Sequence, residues 1–324
     1  MKMIQKLGLG LAVLACVGSA QARSGNTYQS SLSSSSYAAS ATWNGNSTPI
    51  TSGNLAQSAQ MNNLINTAQG YYLDIQWALN DAIRAATSQV GDVTVKMKYP
   101  SGILNGTLNA SLSGLQGGNL RFVLDGLSYD VVLQTNGRQG PISFECNTSL
   151  TIGSISVSLD YNPYSGAVSG ANVQFVPTQS TNCDNSLGWV PWLGNYINNK
   201  LAGAGSQLVL AMGGFSGRIL DVAPQRALFG FVDAIQPGTY LYGGTDVGMY
   251  IKNNIQNLYV NKQVRISVAQ PASFYVPTQN HLPSPLARSG KAVGIDFLDN
   301  GTPLVGFQVN LVRNFNWVLI SGDE

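Results

Sequence analysis

The sequence predicts an α+β fold: long amphipathic helices packed on a strongly curved antiparallel sheet, followed by a smaller C-terminal β-rich region. Three observations lead there. Apolar residues recur every third or fourth position between Leu55 and Gln89. From Val93 to Tyr161 they alternate with polar ones, and the alternation changes phase at glycines. The segment GWVPWLGNYINNKLAGAGSQLVLAM (188–212) then returns to helical spacing.

In chain order, residues 1–22 read as a signal peptide. Lys2 and Lys6 make a basic start, Leu7 to Val17 an apolar middle, and Ala20-Gln21-Ala22 a small-residue cleavage site. The apolar run is too short to span a bilayer as a helix, and no other stretch is long enough. The mature chain is therefore expected to be exported, periplasmic or at the cell surface, with no transmembrane helix. The VLAC ending at Cys16 also resembles a lipoprotein box, but Leu14 fits it poorly, so lipid anchoring is the less favoured reading. Residues 23–52 are poor in aliphatic side chains and rich in Ser, Asn and Thr. They are expected to form a flexible, solvated leader with too little to bury against the entropy of ordering.

Ser52 or Asn54 is placed to cap the first helix, 55–89, whose stripe runs Leu64, Ala68, Tyr71, Tyr72, Ile75, Leu79, Ala82, Ile83 and Ala86. Gly70 lies inside it, as a kink or a point of close approach. Strand-like runs follow through Val93–Tyr99, Leu104–Leu112 and Leu120–Leu133, with a phase slip at Gly126. Another runs through ISFECNTSLTIGSISVSLDYN, with a slip at Gly153; a one-residue slip at a glycine reads as a bulge. AVSGANVQFVP is a further strand, and Pro191 suits the first turn of the second helix.

Removing the signal leaves two cysteines, Cys146 and Cys183, which in an oxidising compartment most simply form one disulfide. A metal site lacks partners, because the single histidine, His281, is nearly a hundred residues away.

Helix, long bent strands and second helix, in that order, resemble the tubular lipid-binding superfamily, the group that includes bactericidal/permeability-increasing protein. The match is carried by GPISFECN, GSISVSLD and NCDNSLGWVPWLGNYINNKLAGAGSQLVLAM, within about residues 54–215. The resemblance implies a lipid held between helices and sheet, and a disulfide from strand to helix. Here Cys183 precedes the helix, a departure from the family pattern. The basic tip of the defence proteins has no counterpart in this chain.

Beyond Gly213-Gly214 a short helix is expected at 225–234. Strands are expected in TYLYGG, QNLYVNKQVRISVAQ, KAVGIDFLD, LVGFQVNLV and NFNWVLI, and a proline-rich connection carries His281. The division is thus signal 1–22, leader 23–52, helix–sheet–helix domain 53–215 and C-terminal β-rich region 216–324.

Without the signal, 15 basic residues face 15 acidic ones, which argues against a nucleic-acid partner and against strong steering to anionic membranes. Charged residues make up 10% of the chain, where about 25% is usual. With one histidine and two glutamates, Glu145 and Glu324, acid–base machinery is scarce. Ser216 in GGFSGR has Arg218 where a nucleophile elbow needs glycine. The expected function is therefore non-enzymatic and without cofactor or metal: binding or carrying an apolar small molecule or lipid, with an envelope protein as a further possible partner. The candidate lining residues are Ile75, Leu79, Trp189, Trp192, Ile197 and Leu201. The alternative is a structural or adhesive surface protein, supported by low charge and by Tyr240, Tyr242 and Tyr250 read as exposed aromatics.

Overall fold

The computed structural model describes residues 27–86, 89–90, 93–139, 142–162, 165–184, 230–231, 234–275 and 287–321. The expected signal peptide, the expected helix at 188–212, Ser216 and His281 lie outside the described residues.

Alternating and glycine-punctuated sequence builds one 11-stranded sheet, antiparallel at every pairing. Its strands are β1 (Thr27–Trp43), β2 (Asn46–Asn54), β3 (Gln89–Val90), β4 (Val93–Met97), β5 (Ile103–Gly114), β6 (Leu120–Gln139), β7 (Ile142–Tyr161), β8 (Val168–Cys183), β11 (Gln263–Val268), β12 (Ala287–Asp299) and β13 (Thr302–Ser321). The short β9 (Leu241–Tyr242) and β10 (Thr245–Asp246) pair separately. The helices described from end to end are α1 (Ala59–Ala86) and α2 (Val247–Asn261); Gly230, Phe231 and Ala234 are helical as well.

The path across the sheet is β2-β1-β13-β12-β11-β5-β6-β7-β8. One edge of β6 is shared: β5 pairs with Leu120–Asp130, and β4 takes over at Leu133–Asn136. The expected fold class is corrected by this arrangement. The chain is dominated by a single large sheet rather than by long helices on a curled one. Nor do the C-terminal strands form a region apart, because β11 pairs with β5 and β13 pairs with β1.

The segment expected to be a flexible leader is also corrected. Residues 27–54 form the β1–β2 hairpin, and β1 pairs with β13 along its whole length. The hairpin turns at Asn44-Gly45, both at positive φ (46° and 79°), the conformation that favours Asn-Gly in tight hairpins. Asn300-Gly301 turns β12 into β13 in the same way. β1 buries only Tyr37, Ala39 and Ala41 on its inner side. Its order therefore rests on the hydrogen-bond ladder to β13 more than on apolar area.

QNLYVN, expected within a strand, is the end of α2. Asp246 caps that helix by accepting from the Met249 amide at 3.0 Å, and Val247, Ile251, Ile255 and Leu258 fall on its buried side. The cap and the spacing outweigh the β-preference of Val, Ile and Tyr.

The phase slips expected at Gly126 and Gly153 are real bulges, and β5 carries a further one at Gly106. Pairing shifts between Gly106 and Asn109 of β5, between Leu124 and Leu127 of β6, and between Gly153 and Ser156 of β7, so the bulges line up across adjacent strands. Gly106 and Gly126 meet back to back at positive φ. A Cβ on Gly106 would lie 2.2 Å from the Gly126 carbonyl oxygen, which only glycine permits. Through the slips the apolar residues stay on one face: Leu120, Phe122 and Leu124, then Leu127, Tyr129, Val131 and Leu133.

Cys146 and Cys183 are disulfide-bonded. They sit opposite each other at the open end of the β7–β8 hairpin, so the bond joins strand to strand rather than strand to helix. The bond is compatible with an oxidising compartment. No helix among the described residues is long and apolar enough to cross a membrane. The Cys146→Ala/Cys183→Ala double variant is expected to lose about 2–4 kcal/mol of unfolding free energy. Urea transitions of the oxidised wild type and the variant measure this, and coincident midpoints would show that strand pairing alone holds β8.

Candidate functional site

The inner face of the sheet carries the apolar side chains, and α1 lies on it against β4, β5, β11 and β12. The helix enters through Asn54, whose Oδ1 accepts from the Ala56 amide in a preceding 3-10 turn, and Ser58, whose Oγ accepts from the Met61 amide. It buries Met61, Leu64, Ile65, Ala68, Tyr71, Tyr72, Ile75, Leu79 and Ile83 in the same core as the strands. Gly70 has open space beside it, so no close approach explains it. Trp77 points the other way and is half exposed.

The apolar stripe contains a polar line. Gln69, Tyr72, Gln76 and Asn80 follow one another at helical spacing toward the first residues of β5. The Tyr72 hydroxyl lies 3.0 Å from the carbonyl oxygens of both Leu104 and Gly106 and shares its proton between them. Gln76 Oε1 accepts from the Leu104 amide at 3.4 Å. Asn80 Oδ1 accepts from the Gly102 amide at 2.8 Å and from the Tyr129 hydroxyl at 2.6 Å. Gln270, from the segment after β11, donates to the Leu104 carbonyl at 2.8 Å. Burial pushes both phenols, Tyr72 and Tyr129, well above the usual tyrosine range, so both remain protonated donors. For Tyr129 the Gly102 backbone and the charge of Arg84 oppose the shift.

On the outer face the same strands are polar. Asp130 accepts from Asn105 at 2.7 Å and from Thr151 at 2.5 Å, bridging β5, β6 and β7. One face is wet and the other apolar.

Of the sequence-predicted lining residues, Ile75 and Leu79 are buried in the core beneath α1, at 1% and 4% exposure. Trp189, Trp192, Ile197 and Leu201 lie outside the described residues. Sequence reasoning overlooked Asn80 and the other polar members of the line. Their signal was available, because polar residues at three- and four-residue spacing inside an apolar stripe must find partners when buried. Farther along the inner face, Val173 and Phe175 of β8 and Met97 of β4 are partly buried against the core. At another place on its rim Trp43 meets Tyr250 edge-on at 4.9 Å. Among the described residues, no group of three or more His, Cys, Asp or Glu side chains is placed to hold a metal ion.

Asn80→Ala is expected to cost about 2–3 kcal/mol, since it strands the Gly102 amide and the Tyr129 hydroxyl in the core. Tyr72→Phe should cost less, about 1 kcal/mol, because Gln270 still serves the Leu104 carbonyl. Equilibrium unfolding of the two variants checks the order, and the reverse order would mean that the helix is held chiefly at Tyr72.

No protein-family model and no curated protein matches the chain. Among solved structures it is similar to a crystal structure of lipopolysaccharide binding protein, at 13% identity and a TM-score of 0.29. The alignment covers 89% of this chain and 85% of that one. At that score the likeness assigns neither a ligand nor a site.

Proposed function

We propose that the protein is an exported, non-enzymatic binder or carrier of an apolar ligand of the lipid class, held on the inner face of the sheet beside α1. The observation that carries this reading is the length of the apolar face. Strands β6, β7 and β13 are each 20 residues long. At about 3.3 Å per residue such a strand reaches roughly 65 Å, whereas one lipid leaflet contributes only about half of a ~30 Å hydrocarbon layer. Apart from the buried Thr148, β7 keeps apolar residues on that face from Phe144 to Tyr161 across its bulge. Affinity would come from removing apolar area from water, at about 25 cal/mol per Å². The disulfide supports an oxidising location, periplasmic or at the cell surface.

A structural or adhesive role is the second reading, and a specific feature favours it. β8, 16 residues long and mostly exposed, pairs only with β7 among the described residues and so presents an open edge. The aromatics counted for that role do not support it, since Tyr240 is buried and Tyr242 and Tyr250 are half-buried.

The deciding experiment is mass spectrometry of an organic-solvent extract of the mature protein, exported to an oxidising periplasm and purified without detergent. A lipid at stoichiometric amount is the expected result. An empty monomer would overturn the carrier reading, and an empty protein that self-associates at micromolar concentration would put the edge-pairing role first.

A further inference from the structure

On β13 the inner face reads Val305, Phe307, Val309, Leu311, Arg313, Phe315, so a guanidinium occupies one position of an otherwise apolar row. Arg313 is only 6% exposed, and among the described residues its Nε and Nη1 have no hydrogen-bond partner. The Tyr275 ring lies over the guanidinium, 4.5 Å from centroid to Cζ, and covers one of its faces. Directly opposite on β1 stands Ser35, whose buried Oγ also lacks a partner among the described residues. Directly opposite on β12 stands Arg288, exposed at the rim. Residues facing each other across antiparallel strands share a face, with Cβ atoms about 5 Å apart. Ser35, Arg313 and Arg288 therefore form a row of donors across three strands. Neither arginine takes part in an ion pair with a carboxylate among the described residues.

Two like charges placed opposite each other repel. A buried guanidinium with idle N–H groups has lost its water without replacement. A bound oxyanion removes both penalties, because its oxygens accept from the idle donors and its charge balances the arginines. We propose that Ser35, Arg313 and Arg288 form a binding site for an anionic oxygen group, a phosphate, with Tyr275 as its lid over the guanidinium plane. The apolar residues on either side, Leu311 and Phe315, fit the start of an acyl chain. That the phosphate is a lipid headgroup rests on the carrier reading above, whereas the anion site itself does not.

The test uses the mature protein and three probes: dioctanoyl phosphatidic acid, dioctanoylglycerol and inorganic phosphate. Affinities are compared for wild type, Arg313→Met, Arg288→Gln and Ser35→Ala at constant ionic strength. The wild type is expected to bind the phosphatidic acid at least tenfold more tightly than the neutral diacylglycerol. Arg313→Met should erase that preference while still binding the diacylglycerol. In chloride buffer its melting temperature should equal or exceed that of wild type, since it removes an uncompensated buried charge. Inorganic phosphate binding as tightly as the phosphatidic acid, and lost in Arg313→Met, would uphold the anion site with a free anion as its occupant and bring down the lipid reading. Equal binding of charged and neutral lipids by wild type would overturn the site and leave the carrier reading standing. If none of the probes binds, both fall. Should Arg313→Met fail to fold, Arg288→Gln at the exposed rim carries the test: a threefold or greater loss of preference upholds the site, and an unchanged preference overturns it.

Discussion

The hydrogen bonds from Tyr72 and Asn80 to the first residues of β5 set where the long helix lies, and much of the inner face is arranged around that contact. Apolar packing alone would let α1 slide along a smooth row of leucines and isoleucines, because it has no direction. The carbonyls of Leu104 and Gly106 and the amide of Gly102 do have direction. They are available because β11 pairs with β5 only from Leu108 to Leu112 and leaves the start of β5 unpaired on that edge, and because Gly102 lies just before the strand. The bulge itself keeps the apolar residues of β5 and β6 on one face. The cost is strict dependence on glycine at Gly106 and Gly126, whose backbones touch.

The second constraint is non-local. β1, near the start of the chain, is held by β13, near its end, and β5 is held by β11 from the C-terminal half. Loop closure over such separations costs entropy before any contact is made, so the sheet has to assemble as a whole. Two of its outer strands are treated differently. β2 is short and contains Pro49, which blunts an edge. β8 is long, yet it is tied to β7 by the disulfide at one end of the hairpin.

A long apolar face and one buried, unsatisfied cation upon it belong together chemically. Apolar area provides affinity without orientation, and a fixed charge provides orientation with little area. Arg313 stands near the end of the buried row of β13, which closes at Phe315 and gives way to exposed Leu319. An amphiphile with its charged end there and its chains toward Leu311 would satisfy both.

Much of this was legible from residues alone, for a physical reason. Side-chain periodicities of two and of about 3.6 are local properties, so α1, the long strands and the bulges at Gly126 and Gly153 could be read directly from spacing. The disulfide followed from the two cysteines that remain once the expected signal peptide is set aside. What each strand pairs with was decided only by the tertiary structure, because backbone hydrogen bonds carry no side-chain signature. Segment 27–54 looked too polar to order, and it orders because β13 supplies a ladder from the far end of the chain. Residues 256–261 read as strand and are the end of a helix, because Asp246 caps that helix and a core receives Ile251, Ile255 and Leu258. Arg313 differs from any other arginine in the sequence only through its surroundings, and burial is a property of the folded chain.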